Sequence, residues 1–426
     1  MELTNRIAAM TAGLILAKGL MELWLSFLNR RHVLAHAGAV PEALKTFVDA
    51  ASYAKSVEYT LARGRLGWIS DGYGMVVLLG VLFSGILPWA LRLFEQHWGV
   101  SAWAMAAFLF AVGVAMSLPG LPVDWWEQFR LEQRFGFNTT TQKTWWLDRV
   151  KGLLLAAALG YPLLVLVLKI VEWTGHWWWV CAWGALIGFQ LLLLVLGPAL
   201  IMPLFNKFTP LPDGSLRDRL LGLAERTRFR ARSIQVMDGS KRSRHSNAFF
   251  TGLGRFRRIV LFDTLIQQLT EPELEAVLAH EIGHYKLRHI VRLLAVSAAT
   301  SLAGFYALSL LARQGWFCRA FGFETDHLAP TLLLFGLLAG VVTFWLSPGL
   351  NWWSRRHEYQ ADAFAARTLG GSGSLVAALR KLNEKNLSNL TPHPLYSGFY
   401  YSHPTLLERE AALARVPCGN PSQRRG

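Results

Sequence analysis

Residues Thr270 to Arg288 read TEPELEAVLAHEIGHYKLR. Thr270 is a residue type that caps helices, Pro272 falls in the first turn, and Glu271 and Glu273 suit the positive end of a helix dipole, so a helix is expected to begin here. Within it His280 and His284 stand four residues apart, which places both imidazoles on one face. Two imidazoles so spaced can hold one zinc ion, and the neighbouring Glu281 can take a proton from a water at the metal. The helix runs directly into an apolar stretch from Ile290 and is expected to continue into it, which joins a peptidase-type motif to a membrane segment.

Composition supports the membrane reading. Of 426 residues, 53% are hydrophobic and only 17% charged, and mean hydropathy is +0.29, too little polar surface for an ordinary soluble protein. Eighteen Trp fit an interfacial belt. Seven apolar stretches approach the length needed to cross about 30 Å of hydrocarbon: Ile7–Leu28, Tyr73–Phe94, Ser101–Leu118, Leu153–Trp173, Trp177–Phe205, Ile290–Leu311 and Leu328–Leu350. In the first, Lys18 and Glu22 are one turn apart and are expected to pair, facing protein or a wet cavity. The net charge of +15 is dispersed among apolar spans, which argues against nucleic acid. Arg30, Arg31, Lys45, Lys55, Arg63 and Arg65 load one connection, and Arg130, Arg134, Lys143, Arg149 and Lys151 another on the same side. By the positive-inside rule the N-terminus is outside, and HExxH and the C-terminal region face the cytoplasm. The three cysteines, Cys181, Cys318 and Cys418, are too far apart to form a thiolate metal motif.

The fold expected is therefore an all-α integral membrane protein of about seven transmembrane helices with a small cytoplasmic α+β insertion. Residues 1–205 form the membrane domain with five spans, and 206–426 the zinc-peptidase domain with two further spans. In the insertion, Leu216–Thr227 reads as a helix, and Ser233–Met237, Ser246–Phe250 and Ile259–Phe262 as short strands, with Gly252 and Gly254 at a turn. A catalytic zinc needs a third protein ligand. The best candidate follows the seventh span, where Glu358 and Asp362 share a helix face: Glu358 to ligate, Asp362 to accept a hydrogen bond from a ligand imidazole. His357 is a rival ligand, about 100° round that helix, and a solvated helix neutralised by Arg355 and Arg356 is the bland alternative.

Together these motifs resemble the type I CaaX prenyl proteases. The matching elements are HEIGH, Glu358-x-x-x-Asp362 followed by Ala363-Phe364, and Tyr401-Ser402-His403-Pro404, together with Asp238-Gly239-Ser240-Lys241-Arg242, His245-Ser246-Asn247-Ala248-Phe249 and Phe135-Gly136-Phe137-Asn138. The resemblance implies one zinc ion held by His280, His284 and Glu358, with Glu281 activating water. It implies that Asp362 acts behind the ligands or as a proton donor, and that His403 donates to the developing oxyanion. The strand at Asn247 and Ala248 would bind substrate backbone as an added edge strand. Arg409, which matches the family's HP-x4-R pattern, is grouped with the substrate-binding residues, with ion pairing as its chemistry. A large intramembrane chamber is implied as well.

The function expected is a membrane-embedded zinc metalloendopeptidase, in a bacterial inner membrane because no endoplasmic-reticulum retention signal is present. It acts on peptide or prenylated-peptide substrates in the bilayer, with no nucleic acid and no obligate protein partner. Two other readings stay open: a quality-control protease indifferent to lipid, and a non-catalytic lipid- or peptide-binding chamber with a structural zinc.

Overall fold

Where apolar runs exceed the thickness of a bilayer, the chain forms long helices. The computed structural model describes residues 2–229, 233–251, 258–325 and 327–417. Its membrane part contains α1 (Glu2–Ala35), α2 (Ala50–Phe83), α3 (Ile86–Trp98), α4 (Ala102–Ser117), the short α5 (Leu121–Trp126), α6 (Gln142–Thr174) and α7 (Trp178–Leu196). Among the described residues, six helical runs are long and apolar enough to cross a membrane. One of them, Gln142–Phe205, divides at Gly175 (φ +51°) into α6 and α7, which pack through Ile170, Trp178 and Ala182. That division accommodates the seven crossings expected. Large apolar side chains face outward, among them Trp98, Trp173 and Trp177 at 63–69% exposure, as suits helices whose solvent is lipid. The protein is an integral membrane protein.

Two expected continuities are broken. The second span was expected over Tyr73–Phe94, but α2 stops at Phe83 and Gly85 turns left-handed (φ +79°) before α3 begins. Glycine adopts that conformation without Cβ strain, and Pro88 in the first turn of α3 has no N–H to lose. The metal helix likewise does not run into the sixth span. It spans Glu271–Lys286 (α9), and Arg288 adopts φ +59° before α10 (His289–Ala312) starts. Lys18 and Glu22 do pair, Nζ 2.7 Å from Oε1. Glu22 also lines, with Asp71, Arg63 and Tyr401, a cavity of about 590 Å³ between α1, α2 and the C-terminal region.

The peptidase part begins with β1 (Phe208–Pro210), α8 (Ser215–Arg226), β2 (Ser233–Met237), β3 (Ala248–Thr251) and β4 (Arg258–Phe262), followed by α9 (Glu271–Lys286). After α10 come α11 (Leu328–Thr343), α12 (Ser347–Leu369), α13 (Gly373–Lys385), α14 (Pro394–Tyr400) and α15 (Leu406–Leu413). The sheet order is β1-β2-β4-β3, with β2 and β4 parallel and β3 antiparallel to β4, so β3 is an edge. The expected turn at Gly252 and Gly254 lies outside the described residues. Leu220, Leu223, Ile259, Leu261, Leu274, Leu278, Ile282 and Leu375 form one buried cluster around α9. A second cluster, with Leu82, Leu91, Phe108, Val165 and Leu334, holds the membrane helices together.

Candidate active site

The helix α9 is well fixed at its start. Glu273 reaches back to the Thr270 N–H (2.8 Å) and also receives Lys381 Nζ (2.8 Å), which ties α9 to α13. Its HEIGH stretch lies against α12, and Gly283 makes the contact possible. A Cβ built there would meet Ala361 Cα at 3.0 Å, and both Ala361 O and Phe364 Cβ at 3.2 Å. This close approach brings Glu358 to the two histidines.

His280 Nε2 and His284 Nε2 are 3.1 Å apart. Glu358 Oε2 is 3.4 Å from the first and Oε1 3.2 Å from the second. The three side chains are the one His/Cys/Asp/Glu group among the described residues arranged to hold a metal ion. The hydrogen bonds behind them decide which ring nitrogens are bare. His280 Nδ1 is 2.8 Å from Asp362 Oδ1, so Nδ1 carries the proton and Nε2 presents its lone pair. His289 Nε2 donates to Gln360 Oε1 (3.0 Å), leaving its Nδ1 as an acceptor 3.0 Å from His284 Nδ1. His284 Nδ1 must then carry a proton, and its Nε2 is bare as well. Glu358 Oε2 is buried with no aligned hydrogen-bond donor. Two bare imidazole nitrogens and a buried carboxylate converging on one point fit a zinc ion.

Charge around the point is favourable to a cation. Burial alone would push the His280 pKa down, but the Asp362 and Glu358 carboxylates beside it outweigh burial and raise it. Burial pushes the Glu281 carboxyl above the usual range, and Glu358 adds to this, while His280, His284 and His403 oppose it.

One face of α12 organises the rest. Arg355, Glu358 and Asp362 recur at i, i+3 and i+7. Arg355 Nη1 donates to Tyr401 O (2.6 Å) and Gly398 O (3.2 Å), and Asn351 Nδ2 donates to Phe399 O (2.6 Å). These bonds hold the chain that leads to His403, whose Nδ1 lies 2.8 Å from Glu358 Oε2 and whose ring is 66% exposed. Arg409, on α15, donates through Nε to Asp362 Oδ2 (2.8 Å) and through Nη2 to Oδ1 (2.5 Å). The ion pairing expected of Arg409 is thus made to a buried carboxylate. Asp362, 1% exposed, sits behind His280 rather than open to a substrate.

His280, His284, Glu358, Asp362, Arg409 and His403 are thus brought together, with Glu281 beside His280 on α9. Asn247 and Ala248 stand on the approach to β3 and in it, a strand that packs against α9. Asn247 O accepts from Phe262 N (3.1 Å) and Asn247 Oδ1 from Ala248 N (2.8 Å). His357 does not turn toward the group but stacks on His289, ring centroids 4.1 Å apart at 14°. The residues that sequence reasoning missed are His289 and Gln360; the one available signal was a third histidine five residues past HEIGH.

Comparisons with known proteins agree with this arrangement. A family model described as CAAX prenyl protease N-terminal, five membrane helices, matches residues 29–207, and one described as Peptidase family M48 matches residues 210–416. "CAAX prenyl protease 1" of Saccharomyces cerevisiae is 37% identical over 405 residues, covering 88% of this chain and 89% of that protein. The Arabidopsis thaliana "CAAX prenyl protease 1 homolog" is 34% identical over 409 residues, covering 92% and 95%. Among solved structures, the crystal structure of S. mikatae Ste24p superposes with a TM-score of 0.89 at 34% identity, covering 95% of this chain and 98% of that one.

Proposed function

The chain belongs to peptidase family M48, in its CAAX prenyl protease branch, and is a membrane metalloprotease; from that premise we propose that it is a zinc endopeptidase that cuts prenylated peptide tails at the His280–His284–Glu358 group. The observation that carries this reading is the pair of bare Nε2 atoms facing the buried Glu358 carboxylate. His280 Nε2, His284 Nε2 and Glu358 would hold the ion, which would supply Lewis acidity toward water and a peptide carbonyl.

The side chains divide the remaining work. Glu281 takes a proton from the attacking water as its oxygen bonds to the carbonyl carbon, and returns that proton to the leaving amine when the C–N bond breaks. Asp362 Oδ1 keeps the proton on His280 Nδ1, and Arg409 fixes Asp362 in turn. His403 donates an N–H to the carbonyl oxygen as charge develops on it. An extended substrate adds to the free edge of β3, placing backbone next to Asn247 and Ala248. The basic connections support a site that faces the cytoplasm.

The test is mass spectrometry of a farnesylated CaaX-type peptide incubated with the purified protein, with a zinc chelator and Glu281→Gln as controls. Cleavage next to the lipidated cysteine, lost in both controls, is expected. Zinc-dependent cutting of an unmodified peptide alone would discard the prenyl substrate. No cleavage of either peptide, with zinc bound, would move the reading to a binding chamber.

A further inference from the structure

A groove of about 840 Å³ runs between α2 and the stretch from α5 to Arg134. Glu58 meets Arg134, Tyr59 meets Glu132 and Arg63 meets Glu127, so the two segments run antiparallel. Glu58, Leu61, Ala62, Arg65, Leu66 and Ile69 follow at helical spacing and give α2 a single face toward the groove. Toward the bilayer the walls are apolar: Leu66, Ile69, Val123 and Trp126, with Ile69 60% and Trp126 54% exposed. Toward the peptidase part they carry Arg65, Arg130 and Arg134. Arg65 and Ile69 are one turn apart, about 6 Å along the axis, so charge gives way to hydrocarbon within the span of one lipid headgroup.

The arginines are only partly neutralised. Arg134 pairs with Glu58, and Arg130 lies over the Trp125 ring at 5.8 Å. Among the described residues, neither Arg65 nor Arg130 has a carboxylate within ion-pair distance. We propose that this groove binds one anionic phospholipid, its phosphate between Arg65 and Arg130 and its acyl chains along Leu66, Ile69, Val123 and Trp126. The charge selects the occupant: an isoprenoid tail has no use for the guanidiniums, and a free phosphate would leave the apolar walls uncovered. Guanidinium and phosphate make paired, charge-assisted hydrogen bonds, and an exposed indole such as that of Trp126 suits a headgroup interface. None of these residues belongs to the metal group, so the site stands independently of the catalytic reading.

Native mass spectrometry of the delipidated, full-length protein tests this, titrating phosphatidylglycerol against phosphatidylcholine of the same acyl chains. One equivalent of phosphatidylglycerol is expected to bind at least about tenfold more tightly than phosphatidylcholine. Each arginine at an anionic headgroup is worth about fivefold, so Arg65→Gln with Arg130→Gln should weaken phosphatidylglycerol about 25-fold and phosphatidylcholine much less. Leu66→Trp, which fills the groove without altering charge, should also lose the lipid; it covers the case in which the double variant does not fold. Arg65→Lys with Arg130→Lys should keep most of the preference. Equal affinity for the two lipids, or full phosphatidylglycerol affinity in a folded double variant, would overturn the proposal. So would displacement of the lipid by glycerol phosphate at matching concentration, which would make the site one for a soluble anion.

Discussion

Replacing Gly283 with alanine should damage the metal group although residue 283 contributes no atom to it. The added Cβ would lie 3.0 Å from Ala361 Cα and 3.2 Å from Ala361 O, against the 3.4 Å at which ordinary contact begins. Two of the three nearest atoms are backbone, so no side-chain rotation relieves the clash, and α12 must retreat by about 0.4 Å. Glu358 and Asp362 flank Ala361 on that helix and move with it. Metal sites tolerate only about ±0.2 Å in ligand distance, and a misplacement of about 1 Å can cost about 10²-fold in rate. A shift between these values should lower turnover roughly tenfold and weaken zinc by a similar factor, with about 1–3 kcal/mol of overpacking cost. The assays are turnover on the farnesylated peptide, zinc retention against a chelator and thermal melting. Valine, which adds two methyls, should be worse in all three. An alanine variant with native turnover and zinc affinity would refute the claim that this helix contact sets the position of Glu358.

Other consequences follow from the same geometry. His403→Phe should lower kcat by about 10²–10³ with little change in KM, as expected when an oxyanion donor is lost; an unchanged kcat would remove His403 from that role. His289→Ala frees the Nδ1 proton of His284 from its acceptor and should weaken zinc about 10–100-fold, measured by competition with a chelator. Zinc affinity equal to that of the native protein would mean that the His284–His289–Gln360 chain does not set the tautomer.

Much of this was legible from the sequence because it depends on local periodicity. Helical spacing alone put His280 with His284 and Glu358 with Asp362, and unbroken apolar length announced the membrane helices. The illegible parts depend on geometry between elements. A left-handed Arg288 carries no sequence signal, since only tertiary packing makes a non-glycine residue accept φ +59°, and it is this turn that parts α9 from α10. His289 then stands next to His284 because of that break, not because of helical spacing. The role of Arg409 was hidden for a related reason: an arginine reads as solvent- or substrate-facing until a buried carboxylate from a helix 47 residues away is found against it. Gly283 is where two helices touch, which no helical spacing announces.

The most direct test of the central claim is zinc content per chain, measured with turnover on the same preparations of the native protein, Glu281→Gln and His284→Ala. The account predicts one zinc with activity in the native protein, one zinc without activity in Glu281→Gln, and neither in His284→Ala. A full equivalent of zinc in His284→Ala, or turnover surviving in Glu281→Gln, would contradict it.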